Sequence, residues 1–495
     1  MASFTPSKYP KYMIYHPEKI RISDILGALL FRRRLSVTSN FVEIGHQEET
    51  KPGISFFTFI SLITLIVEKI LLLLDRPLYY LGFIVEFTWN LFSLNGGIIG
   101  LIFRIIKASI IIPKRDSVNF RSIVGYIDGR KDLYYYKTSS DLSLLPEQAL
   151  LDSAEAINPV LDLCVMAAKV VYENRAYVEN VITNHWKMHF VGFYDFWDEY
   201  RKSKSTQASI FCDRAKDARL IVVAFRGTEP FNAKDWITDV DLSWLSMGNM
   251  GRVHRGFMKA LGLQDDKDFQ KGWPKDYDGD KELAYYIIRE KLKTLLEYHK
   301  GARIIITGHS LGAALATIFP AILAYHKEDQ IMDRLLGVYT FGQPRVGDEE
   351  FGRFMEGKLN KVVRRYFRVV HRFDIVPRVP FEDNISQFSH FGGCIYYKTW
   401  YNVKVLKEEP NKNYFDPKYH LPMYFYAWLD IFLALFVGIY EGRDFHESFT
   451  SILFRIVGLY IPGVSCHSPR DYVNDARLGK LNLVKKSEDA ESLIV

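Results

Sequence analysis

The distribution of apolar and polar positions divides the chain into three regions. Residues 1–53 are polar and basic, residues 54–113 form the most apolar stretch, and residues 114–495 return to ordinary globular patterning. In the last region strand-like and helix-like runs alternate, which predicts an α/β domain with a mostly parallel sheet. Leu220–Phe225 and the β-branched run Arg303–Thr307 read as strands buried on both faces. Leu311–Leu323 is Ala-rich and apolar, the pattern of a buried helix that follows the second strand directly. Val369–Pro377 reads as a strand leading into a loop, with Pro377 and Pro380 stopping the strand. Pro469 marks a helix start, with Asp471 in its first turn.

The apolar region opens with an uncharged run from Ile54 to Val67, continues past Glu68-Lys69 to Leu74, and is interrupted at Asp75-Arg76-Pro77. A second uncharged run extends from Phe87 to Phe103 and contains Asn95-Gly96-Gly97. A bilayer-spanning helix needs about 20 apolar residues, so each run is marginal as a span. Basic residues flank both ends, Arg32–Arg34 before and Arg104, Lys107, Lys114 and Arg115 after. Positive charge on both sides puts both ends on the cytosolic side and fits a hairpin, or helices lying in a lipid interface. The alternative is a helical pair buried against the soluble domain. A further apolar stretch, Leu421–Tyr440, is broken only by Asp430.

The 495-residue chain is 48% hydrophobic and 25% charged, which excludes a disordered or coiled-coil protein. A net charge of +6 is too small for this length to indicate a nucleic-acid binder. The four cysteines, Cys164, Cys212, Cys394 and Cys466, lie far apart and form no C-x-x-C pair. Neither a zinc ribbon nor a disulfide framework is indicated, and reduced thiols in a cytosol-facing protein are expected. The first thirty residues lack the compact apolar core of a secretory signal.

Chemistry is concentrated around Gly308-His309-Ser310-Leu311-Gly312, a G-x-S-x-G elbow set between the Arg303–Thr307 strand and the Leu311–Leu323 helix. A sharp strand-to-helix turn crowds its neighbours, so positions 308 and 312 want no side chain, and it exposes the Ser310 hydroxyl at the positive end of a helix. A serine hydroxyl needs an imidazole base, itself held by an acid. With the chain order Ser…Asp…His, Asp374 stands at the carboxyl end of its strand as the acid, with Asp383 the second choice. Of the downstream histidines His390, His420, His446 and His467, His467 lies in a loop before Pro469 from which it can reach Ser310. His390, among aromatic residues, reads as a loop-holding group.

These residues together resemble the class 3, fungal-type triacylglycerol lipases, and especially the plant oil-body lipases. Further motifs carry the resemblance: Val223–Thr228 (VAFRGT), His254–Phe257 (HRGF), Tyr339–Gly347 (YTFGQPRVG) and Asp374–Pro377 (DIVP), so that it covers roughly residues 150–475. It implies an α/β-hydrolase fold and a Ser310–Asp374–His467 triad. Thr228 becomes an oxyanion donor through its backbone and hydroxyl, and the amide of Leu311 the second. It also implies a lid at about Glu229–Asp239, where Trp236 is either a lipid-facing or a core group. No metal or organic cofactor is implied. The expected substrate is triacylglycerol on a lipid droplet, with residues 54–113 as anchor and residues 114–495 as the lipase domain. A phospholipase or galactolipase acting on a membrane leaflet is the alternative, and a non-catalytic droplet-binding scaffold a more distant one. The 93 residues separating Asp374 from His467 exceed what the fungal enzymes lead one to expect. Because Leu421–Tyr440 lies between two triad members, an insert packed near the mouth of the site, docking on lipid or on the 54–113 region, is expected rather than a span.

Overall fold

The computed structural model describes residues 12–21, 23, 41–45, 59–135, 154–263, 273–359, 365–382 and 387–479. Arg32–Arg34, the opening residues 54–58 of the apolar region, and Asp383 lie outside them. Twelve strands are formed among the described residues: β1 Tyr12–Tyr15, β2 Val42–Gly45, β3 His189–Asp198, β4 Ser203–Cys212, β5 Leu220–Phe225, β6 Trp244–Ser246, β7 Arg252–His254, β8 Arg303–His309, β9 Leu335–Phe341, β10 Tyr366–His371, β11 Cys394–Tyr397 and β12 Val403–Leu406. The longer helices are α1 Phe59–Leu94, α2 Gly97–Ile106, α3 Ala154–Val170, α4 Ala233–Val240, α5 Ala284–Tyr298, α6 Leu311–Tyr325, α7 Glu349–Leu359, α8 Pro417–Tyr440, α9 Phe449–Val457 and α10 Pro469–Leu478.

Eight strands make the central sheet in the order β12-β11-β10-β9-β8-β5-β4-β3. Strands β5, β8, β9, β10 and β11 run parallel, while β3, β4 and β12 are antiparallel to their neighbours. Successive side chains of a strand point to opposite faces, and here both faces are covered. Ile221, Val223, Phe225, Ile304 and Ile306 pack with α5, α6 and α7 on one side. Val222, Ala224 and Ile305 pack with α3 and α10 on the other. This two-sided burial is why β5 and β8 read as unbroken apolar runs, and the expected α/β-hydrolase architecture is borne out.

The amino-terminal part enters the fold in ways its polarity does not announce. From the basic 1–53 segment, β1 and β2 join β6 and β7 in a small antiparallel sheet of order β2-β1-β6-β7. Its apolar cluster includes Met13, Tyr15, Leu65 and Trp244. The interruption at Asp75-Arg76-Pro77 does not end a helix: α1 runs through Pro77. Proline forfeits one backbone bond there, but contacts on either side hold the helix. Asp75 lies 3.7 Å from Lys234 of α4, and a side chain at Gly82 would collide with Phe231. Helix α1 is thus docked on the domain along one side, burying Leu62, Leu65, Glu68 and Asn90. Its later turns and α2 leave Ile84, Ile98, Ile99, Ile102 and Ile106 exposed.

Candidate active site

Strand β8 ends at His309 and α6 begins at Leu311, so Ser310 is the turn between them. Its backbone sits at φ 59°, ψ −131°, a conformation that costs about 1–3 kcal/mol for a non-glycine residue. The surroundings over-determine that strain. The Ser310 N–H donates to Phe341 O at 3.0 Å. A Cβ at Gly308 would strike the backbone of Gly312, and one at Gly312 would strike Phe225 O. Only glycine permits this approach of strand, turn and helix, as the elbow spacing requires.

The structure brings His467 and Asp374 together. Nδ1–H of His467 donates to Asp374 Oδ2 at 2.8 Å, and Asp374 is wholly buried. His467 enters from a short helical turn, Pro462–Ser465, just ahead of α10. Asp374 follows β10, where the amide of Val376 donates to its Oδ1 at 2.9 Å. Ser310 Oγ and His467 Nε2 are both buried and without a hydrogen-bond partner in the protein. They are the two atoms between which a proton must pass for Ser310 to act as a nucleophile.

Further groups support the pair, and the tyrosines among them carry no motif signal of their own. Tyr472, on the first turns of α10, donates its hydroxyl to Asp374 Oδ2 at 2.5 Å. It thereby shares the oxygen that His467 uses. The ring of His309 stacks on His467 with centroids 4.4 Å apart. His309 Nε2–H donates to the His467 carbonyl at 3.0 Å, while Nδ1 accepts from the Tyr172 hydroxyl at 2.9 Å. Burial, and next the neighbouring His467, keep the His309 imidazole neutral far below its usual range. Gly342, at φ 58°, is required by proximity: an added Cβ would lie 2.8 Å from His467 Cε1 and 2.9 Å from Asp374 Oδ2. His390 lies apart from these groups, its Nε2–H donating to Pro377 O at 2.6 Å.

On the other side of the elbow, β5 delivers Arg226-Gly227-Thr228. Gly227 abuts His309 O so closely that a side chain there would overlap it. Thr228 Oγ1 donates to Asp239 Oδ2 at 2.7 Å, so its hydroxyl is turned to that carboxylate. Asp239 is fully buried, its Oδ1 has no partner, and burial above all pushes its pKa up to about 7. Asp235, itself buried, adds to the rise. Trp236 of the same helix α4 is half-buried, with its ring 6.5 Å from that of His467.

A buried carboxyl whose pKa is raised lowers stability as pH climbs from its unfolded value, about 4, to its folded value. The asparagine variant has no such group to ionise. Asp239→Asn is therefore expected to match the parent near pH 4, to gain in thermal midpoint between pH 4 and 7, and to keep a constant advantage above. Parallel midpoint-versus-pH curves would contradict this.

A buried serine on a strained strand-to-helix turn, at the end of a parallel strand and next in the chain to a histidine that stacks on the ring of a histidine–aspartate pair, defines a hydrolase of the α/β class. Within that class the chain belongs to the class 3 lipases, and it is an ester hydrolase. Residues 222–384 match the family model described as Lipase (class 3). The chain is 40% identical over 489 residues to "Triacylglycerol lipase OBL1" of Nicotiana tabacum, covering 87% of this chain and 85% of that one. It is 43% identical over 452 residues to the protein of the same name from Arabidopsis thaliana, covering 87% and 86%. The solved Rhizomucor miehei triacylglyceride lipase aligns at 21% identity over 50% of this chain and 82% of its own, with a TM-score of 0.37.

Proposed function

We propose that this protein is a serine lipase that hydrolyses acyl esters of triacylglycerol at a lipid-droplet surface, with Ser310, His467 and Asp374 as its triad. The observation that carries the reading is the buried His467–Asp374 pair, closed at 2.8 Å, with the His467 ring stacked on His309, the residue before the strained Ser310. The choice of triacylglycerol is supported by the tobacco and Arabidopsis relatives, both named triacylglycerol lipases. Residues 54–113 serve as the lipid anchor ahead of a lipase domain spanning 114–495, a role supported by the isoleucines left exposed on α2.

In the proposed reaction His467 Nε2 takes the Ser310 proton as Oγ bonds to the acyl carbon. The former carbonyl oxygen, now negative, is held by the amides of Thr228 and Leu311. The Thr228 hydroxyl is released to this task when Asp239 carries its own proton and donates back to Thr228. Collapse of the intermediate breaks the ester bond, and the glycerol oxygen leaves with the proton from His467. Water then repeats the sequence on the acyl-serine, freeing the fatty acid and restoring Ser310. Residues 229–239 act as the lid: the Trp236 ring stands edge-on to His467 with centroids 6.5 Å apart, and α1 lies across Phe231 and Lys234. Opening at a lipid surface exchanges these contacts for hydrocarbon.

Purified protein assayed for fatty-acid release should turn over triolein emulsion at least about tenfold faster than phosphatidylcholine vesicles. Faster release from the phospholipid would replace triacylglycerol with a membrane lipid as the substrate.

A further inference from the structure

Helix α8 is built inside out for a protein in water. Its buried positions, Met423, Ala427 and Ala434, fall on one stripe together with Asp430. Asp430 is the sole charge between Leu421 and Tyr440, and it turns inward to Arg372, 2.5 Å away. The opposite stripe is Leu421, Phe425, Trp428, Phe432, Leu435 and Ile439, spaced 4-3-4-3-4 along the helix and each more than half exposed. A surface helix ordinarily places polar residues there. Helix α9 repeats the arrangement: its one charge, Arg455, is buried against Glu447 at 2.7 Å and Asp471 at 2.6 Å. Phe449, Leu453, Ile456 and Val457 face out.

We propose that α8 and α9 form a second lipid-docking face that lies in the plane of a lipid surface. The inference rests on the lipid-surface reading above and adds to the anchor at 54–113. The occupant is hydrocarbon, because the α8 stripe runs for about 27 Å without a charged side chain, matched to an uncharged phase. The face is also tied to the other apolar elements, since Trp89 Nε1–H of α1 donates to Thr450 Oγ1 of α9 at 2.8 Å.

Among the described residues α8 is the one helix long and apolar enough to cross a membrane, yet its inner stripe is committed to the domain. Crossing would strip Asp430 from Arg372 and Met423 from the cluster it forms with Phe373, Tyr414 and Cys466. Phe373 and Cys466 are the immediate neighbours of Asp374 and His467 in the chain. Asp471, the partner of Arg455, lies one residue before Tyr472. Each inward charge therefore fastens the lipid face to a segment that carries the proposed triad.

The four described cysteines are all buried, so a single introduced surface cysteine can be labelled with an environment-sensitive nitrobenzoxadiazole dye. Leu435→Cys on α8, Ile102→Cys on α2 and Glu297→Cys on α5 would each be mixed with phosphatidylcholine-coated triolein droplets. A blue shift with a gain in emission is expected at 435 and 102, and none at 297. A shift at 102 alone would overturn this proposal and leave the anchor standing; a shift at 435 alone would overturn the anchor instead. A shift at 435 without droplets that grows with protein concentration would mean that a second copy of the chain covers the face, and would also overturn the proposal. Combining Phe432→Asp with Leu435→Asp should lower droplet partitioning at least about tenfold in flotation, with an unchanged thermal midpoint showing that the fold is intact. Unchanged flotation of that folded double variant would count against the face.

Discussion

Ser310→Ala is expected to lower kcat on any acyl ester by at least about 10⁴-fold while leaving the thermal midpoint within a few degrees of the parent. Alanine removes only Oγ, an atom that is buried and without a partner, so no hydrogen bond within the protein is lost. Relief of the strained turn is not expected either, since alanine has the same backbone restrictions at φ 59°. The proposed oxyanion donors, the Thr228 and Leu311 amides, remain, and they would account for whatever rate persists over the uncatalysed reaction. Activity measured on a soluble short-chain ester separates this loss from any effect on lipid docking. A variant retaining a tenth of the parental rate would remove Ser310 from the mechanism.

Asp374→Asn should cost about 10³–10⁴-fold in kcat with little change in KM, because the lost function is orientation and tautomer choice rather than binding. The carboxylate takes three donors: the Val376 amide at Oδ1, and both His467 Nδ1–H and the Tyr472 hydroxyl at Oδ2. An amide side chain has a single acceptor oxygen. In either orientation at least one of those donors meets an N–H, and the environment is too buried for water to compensate easily. If the amide nitrogen faces His467, the imidazole moves its proton to Nε2 and can no longer accept one from Ser310. The pH–rate profile provides the discriminating readout. Across the pH range in which the parent is active, the variant should stay near its floor. A fall of only a few-fold would show that Asp374 merely packs against the histidine.

Much of this site was legible in the sequence because its chemistry is tied to local geometry. The elbow glycines, the β-branched strand before them and the Ala-rich helix after them encode a tight strand-to-helix turn, and Ser310 stands at that turn in the fold. Asp374 and His467 were legible for a related reason: prolines at 377, 380 and 469 punctuate the loops that carry them. Tyr472 and Asp239 were not, since a tyrosine hydroxyl or a carboxyl acquires its role from what the fold sets beside it. Gly342 sits inside a recognisable motif, yet its reason is a distance to His467 from which spacing gives no hint. The same limit applied to the amino-terminal region. Asp75-Arg76-Pro77 looks like a break by composition, whereas packing against Phe231 and Lys234 carries α1 straight through it. Short strands such as β1 and β2 offer too few residues for a period-2 pattern to stand out in a basic segment. The inward turn of Asp430 was likewise hidden, because a single acid in an apolar run looks the same whether it pairs or faces solvent.

The proposed convergence of Ser310, His467 and Asp374 is tested most directly by covalent trapping. A p-nitrophenyl alkylphosphonate reacts with a serine only when a neighbouring base takes its proton and oxyanion donors hold the phosphoryl oxygen. One equivalent of p-nitrophenolate per chain is expected on mixing, with the added mass found by peptide mapping on Ser310 and lost in Ser310→Ala and His467→Ala. Label on another residue, or undiminished trapping in His467→Ala, would contradict the assignment.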